Sequence, residues 1–119
     1  MYSKEEENME KLYILWTNAD EEVFDKMVLM YARNSKRRGW WNDIELIIWG
    51  PTAKLATESE SVARGIQELL DVGVVISACK SCSDALETTP RLIEMGVDVK
   101  YVGKDLTEIL KSGEKLLSV

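Results

Sequence analysis

The sequence predicts an α/β domain in which a mainly parallel sheet is covered by helices on both faces and its strands are joined by right-handed crossovers. Three observations predict it. Short apolar runs rich in β-formers recur at residues 12–16, 44–48 and 74–78. Segments with helical spacing and capping residues separate these runs, and Gly39, Gly73, Gly96 and Gly113 stand where the helical segments stop.

Taken in order, residues 4–10 are charged and aperiodic and predict a frayed lead-in over 1–10. Leu12-Tyr13-Ile14-Leu15-Trp16 is the first buried strand. Asn18, three residues before Glu21, reads as a capping box, and Val23, Phe24, Met27, Val28 and Tyr31 then repeat at helical spacing up to Gly39. Lys36-Arg37-Arg38 closes that helix, where cations complement the macrodipole, a better account of the cluster than an anion site. Ile44-Glu45-Leu46-Ile47-Ile48 forms the second strand within residues 43–49, closed by a turn at Gly50-Pro51. Thr57 and Glu60 make a second capping box for a helix carrying Val62, Ile66, Leu69 and Leu70. The third strand, from Val74 to Ala78, delivers Cys79. Thr89-Pro90 reads as an N-cap with proline at the first helical position, so residues 83–95 divide into a short helical turn and a distinct helix. Val97, Val99 and Tyr101 alternate with polar residues as an edge strand does. Asp105 and Glu108 cap a last helix through Lys111, and residues 115–119 supply a closing strand.

At 119 residues the chain fits a single domain, 1–119, with 45% apolar residues to build a core. No apolar run approaches the roughly 20 residues of a membrane helix. The opening Met1-Tyr2-Ser3-Lys4-Glu5-Glu6-Glu7 is acidic, unlike a signal peptide, and a cytoplasmic protein is expected. A net charge of −6 argues against nucleic acid as a partner, since phosphate binding needs clustered cations. Trp40-Trp41 and Trp49 flank a strand and read as core, with a self-associating apolar surface as the other reading.

Parallel strands bring their carboxyl ends to one rim, so Thr17-Asn18, Trp49-Gly50-Pro51-Thr52, Cys79-Lys80-Ser81-Cys82 and Val102-Gly103-Lys104 should converge there. A nucleotide or flavin site fits poorly, because residues 17–21 lack a glycine-rich cradle and carry Asp20 and Glu21 where a phosphate would sit. Gly50-Pro51-Thr52 is either a simple turn or a set of backbone donors for an anion. The Cys-x-x-Cys motif leaves several readings open. A redox dithiol is one, although thioredoxin-type pairs follow an early strand. Zinc needs about four ligands, and two thiols without any histidine could supply them only across an oligomer interface. A nucleophilic thiolate at the strand end beside Lys80 is a third, with Cys82 as a resolving partner. Two small buried residues without chemistry are the fourth. The strand-end position favours function.

Three blocks, Trp49-Gly50-Pro51-Thr52-Ala53-Lys54-Leu55, Ala78-Cys79-Lys80-Ser81-Cys82-Ser83-Asp84 and residues 99–108 from Val99 to Glu108, resemble in order and spacing the DsrE/DsrF-like (YchN-like) family, over nearly the full domain. The Cys-Lys-x-Cys loop is similar to that of its stand-alone branch. The resemblance implies a three-layer α/β/α fold with a five-stranded sheet in the order 4-3-2-1-5. Family members include sulfur-relay subunits that carry persulfide on a cysteine after the third strand and assemble into trimers or hexamers. Cys79 matches that cysteine. The resemblance therefore implies a sulfurtransferase-like persulfide carrier, a homo-oligomer with sulfur donor and acceptor proteins as partners and no cofactor or metal of its own. Lys80 would stabilise the thiolate, while Asn18, Trp49, Gly50, Pro51, Thr52, Ser81 and Gly103 would line the pocket. Cys82 lies outside the relay subunits' pattern and is a secondary candidate: a resolving thiol, an interface ligand, or inert. The alternative is a non-catalytic oligomeric binding or scaffold module with structural cysteines.

Overall fold

The computed structural model describes residues 10–119, so the expected lead-in falls almost wholly outside them. Five strands, β1 (Lys11–Trp16), β2 (Asp43–Ile48), β3 (Val75–Cys79), β4 (Asp98–Lys100) and β5 (Lys115–Ser118), form one sheet in the order β4-β3-β2-β1-β5. Every pairing is parallel. The α/β class and the strand order implied by the resemblance are those observed. β1 and β2 pair from Lys11 with Asp43 to Trp16 with Ile48, and Cys79 ends β3 beside Lys100 of β4.

The helices follow from local chemistry. The first, α1, is continuous over residues 21–38, with α-helical ends at Glu21–Val23 and Met30–Arg38 and a π-helical middle at Phe24–Leu29. Its N-cap is Asp20, whose side chain accepts from the Val23 N–H at 3.0 Å, and not Asn18. Asn18 instead belongs to the exit of β1, where its N–H donates to the Val119 carbonyl at 3.3 Å. Gly39 ends the helix at φ 70°, a conformation that costs glycine little.

After β2 the chain enters a helix the sequence reading did not contain, α2 (Thr52–Glu58), which Pro51 precedes at the N-cap. The next, α3 (Glu60–Asp71), is capped by Ser59 accepting from the Val62 N–H, not by Thr57, whose hydroxyl bonds back to the Ala53 and Lys54 carbonyls inside α2. Two short helices, α4 (Lys80–Ala85) and α5 (Thr89–Glu94), are the expected helical turn and distinct helix, the first starting three residues earlier than expected. The cap of α5 is Thr88, one residue earlier than expected, with Pro90 within the first helical turn. Tyr101, and not Asp105, caps the last helix, α6 (Val102–Lys111).

The two faces of the sheet are covered unequally. Leu12, Ile14 and Trp16 of β1, Ile44, Leu46 and Ile48 of β2, and Ile76 and Ala78 of β3 point to one face, where α1, α2, α3 and α5 close a large core. Each fully buried aliphatic side chain there contributes about 1.5–3 kcal/mol. Gly65 lets α3 approach α1, since a Cβ there would stand 2.6 Å from Phe24 Cε2. The alternate strand residues Leu15, Ile47 and Cys79 face the other way, under Val102 and Ile109 of α6. Of the tryptophans, Trp16 alone is fully buried. The expected core placement of Trp40 and Trp49 does not hold: they are 52% and 36% exposed, and Trp41 is half-buried. Trp40 lies outside the core because it follows the left-handed Gly39 turn, and it packs on the Tyr31 ring at 6.4 Å.

Candidate functional site

Cys79 is the last residue of an interior strand and the N-cap of α4, so its backbone is fixed by the sheet on one side and by a helix start on the other. Its side chain is 7% exposed and packs among Leu15, Ile47, Val102 and Ile109. Cys82, three residues on, is half-buried at the margin of the same cluster. Cys82 packs against the cluster that holds Cys79, and the neighbouring Cys79 thiol and the Gly50 backbone both act on its ionisation. Burial pushes the Cys82 thiol above its ordinary value; the Gly50 donor opposes this and the neighbouring Cys79 adds to it. The fold thus brings together Cys79, Cys82 and the loop after β2.

That loop is held from behind. Thr52 is fully buried, with its hydroxyl oxygen 3.0 Å from the Trp16 carbonyl and 2.9 Å from the Trp49 carbonyl while it accepts from the Trp49 N–H at 3.1 Å. Its expected place as a pocket wall is therefore a tie beneath the loop, binding the ends of β1 and β2 to the start of α2. Gly50, at φ 70°, turns the chain between them. Trp49 and Pro51 are exposed on the outer side of the loop.

Lys80 is directed away from the role expected of it. Its ammonium is 2.6 Å from Asp84 Oδ2, one helical turn on, and 5.7 Å from the centre of the Tyr101 ring. The Asp84 hydrogen bond holds the Lys80 pKa above its ordinary value, while the Lys80 and Thr89 partners hold the Asp84 carboxyl below its own. Ser81 and Gly103 are exposed. Asn18 follows the end of β1, two strand spacings from β3 and so about 9–10 Å away across the rim, where it borders a different hollow with Asp20 and Lys26.

The residues that sequence reasoning missed lie on the less covered face. Lys100 is the register neighbour of Cys79 across the sheet. It pairs with Asp105 at 3.3 Å and with Glu45 at 3.7 Å. Glu45, only 9% exposed, also accepts from the Ser77 hydroxyl at 3.0 Å and from Lys11 at 3.3 Å. An open cleft of about 260 Å³ runs over this polar group, lined by Tyr13, Glu45, Lys100, Asp105 and Glu108. One carboxylate inside the apolar run of β2 was the available signal, since a charge at that place needs partners. Among the described residues no group of three or more His, Cys, Asp or Glu side chains is placed to hold a metal ion. No helix among them is long and apolar enough to cross a membrane.

No protein-family model matches the chain, and no curated protein does. Solved structures do. The strand order and the helices on both faces define a YchN-like α/β fold: the ychN protein from E. coli superposes with a TM-score of 0.70 at 18% identity, over 93% of this chain and 100% of that one. A conserved protein of unknown function from Bacteroides thetaiotaomicron, BT1422, superposes with a TM-score of 0.91 at 42% identity, over 92% of this chain and 95% of that one. The chain belongs to the same family as BT1422.

Proposed function

We propose that the protein is a persulfide carrier of the DsrE/DsrF-like kind, with Cys79 as the carrying thiol. The observation that supports this reading best is the meeting of both cysteines of the chain at the carboxyl end of an interior parallel strand, in a shell that is apolar on the Cys79 side and offers a backbone donor on the Cys82 side. In the proposed step the Cys79 thiolate attacks the outer sulfur of a donor persulfide, the donor leaves as its thiolate, and Cys79-S-SH forms. Val102, Ile109 and Leu15 would shield the new sulfur from water. Donor and acceptor are proteins, the compartment is the cytoplasm, and the working form is a homo-oligomer, a trimer or hexamer.

Mass spectrometry of the folded protein after incubation with inorganic polysulfide tests the reading. One added sulfur on the peptide carrying Cys79, seen at early times in wild type and absent in Cys79→Ser, is the expected result; a Cys79 that stays an unmodified thiol throughout sinks it. Sedimentation at micromolar concentration tests the assembly, and a monomer contradicts it. The burial of Cys79 favours a second reading, a non-catalytic binding module whose cysteines are packing residues. On that reading both native thiols alkylate slowly and neither takes up sulfur.

A further inference from the structure

Cys79 is buried among Leu15, Ile47, Val102 and Ile109, whereas Cys82 is only half-buried. It sits at the margin of the apolar cluster that holds Cys79, half-buried, on the first turn of α4, three residues after the cysteine that caps that helix. The Gly50 backbone favours the Cys82 thiolate, against the larger effect of burial. Such a backbone donor stabilises negative charge on Cys82 at the moment a thiolate is needed there. We infer that Cys82 is a resolving thiol that discharges the Cys79 persulfide as sulfide when no acceptor protein is docked. The inference rests on the carrier reading and names how that site is emptied.

The step balances without an added oxidant. The Cys82 thiolate attacks Cys79 Sγ, the Cys79–Cys82 disulfide forms, and the bond to the outer sulfur breaks with its electron pair leaving as hydrosulfide. The outer sulfur is reduced by two electrons and the two cysteines are oxidised by two; the Cys82 proton ends on the sulfide or on water. An external dithiol, of small-molecule or protein origin, returns the pair to two thiols. The proposed attack falls on the inner sulfur, bonded to Cys79 Cβ, with the outer sulfur as the leaving group. Leaving-group ability agrees, since hydrosulfide is a weaker base than a cysteine thiolate and departs faster. A spacing of three residues across a helix start also brings two Cα atoms within the span of a disulfide.

The experiment loads the full chain with inorganic polysulfide, removes the excess, and follows released sulfide together with the mass of the tryptic peptides. Wild type is expected to release one equivalent of sulfide and end as the Cys79–Cys82 disulfide, at a rate that rises with pH as the Cys82 thiol ionises. Cys82→Ser and Cys82→Ala are each expected to keep the added sulfur on Cys79 and to release sulfide at least about tenfold more slowly, while melting as wild type does. A persulfide that persists equally in wild type and both variants overturns the inference and leaves the carrier reading standing. Sulfur recovered on Cys82 with Cys79 as a free thiol overturns it as well. No sulfur on Cys79 in any of the proteins overturns both.

Discussion

The ammonium of Lys80 and the carboxylate of Asp84, one turn apart at 2.6 Å, form a surface pair whose effect is local and measurable. Asp84 is held below the ordinary carboxylate value by Lys80 first and Thr89 second. Its contribution to stability is therefore present above the unfolded-state value and disappears as pH falls through the lowered one. In Lys80→Met the Asp84 midpoint, followed by NMR, is expected to move up toward the usual range; an unmoved midpoint would show that Thr89 alone sets it. Gly65 makes a sterner test. Phe24 stacks against Trp16 at 4.8 Å and has little room to retreat from a new Cβ, so Gly65→Ala is expected to lower stability by about 1–3 kcal/mol in equilibrium denaturation. Cys79 was legible as the end of a buried strand, since Val74 to Ala78 reads so plainly. The partner of Lys80 was not, because a lysine beside a cysteine in sequence can reach the side chain four residues on just as easily.

At the scale of elements, β2 carries a carboxylate through the middle of the sheet. For Lys11, burial lowers the pKa but is outweighed by the Tyr13 hydroxyl and Glu45; for Lys100, burial is outweighed by Glu45, Asp105 and Asp98. Both end above the ordinary lysine value. Their stabilisation is thus full below the unfolded-state value and is lost as pH rises through the raised ones. Glu45→Ala is expected to cost about 1–3 kcal/mol near neutrality, because it orphans the Ser77 hydroxyl and two half-exposed ammonium groups. Denaturation midpoints from neutral to alkaline pH should show the variant losing less on the alkaline side than wild type. The same element shows why one helix escaped sequence reading. Gly50-Pro51 has the composition of a turn, and it is one, but Thr52 behind it reaches back to the carbonyls of Trp16 and Trp49 and starts α2 at once. That tie spans 36 residues, and local signals carry no trace of it. Ser59 and Thr57 offered equally good caps by composition; the close of α2 at Glu58 chose between them.

For the whole molecule the inequality of the two sheet faces governs access. Four helices close the large core, while α6 provides most of the cover over Cys79 and the Glu45 cleft. Amide exchange is expected to be faster in α6 and β5 than in β1, β2 and β3, since opening that side uncovers less apolar surface. Equal protection would mean that Cys79 is reached only through global unfolding and would count against any chemistry there. The strand order has a consequence for biosynthesis. β1 takes β5 as its outer neighbour, Leu12 beside Lys115, across a separation of roughly a hundred residues. A nascent chain on the ribosome therefore carries β1 with one flank unpaired until β5 emerges, and through that interval the backbone of Leu12 to Leu15 is an open strand edge.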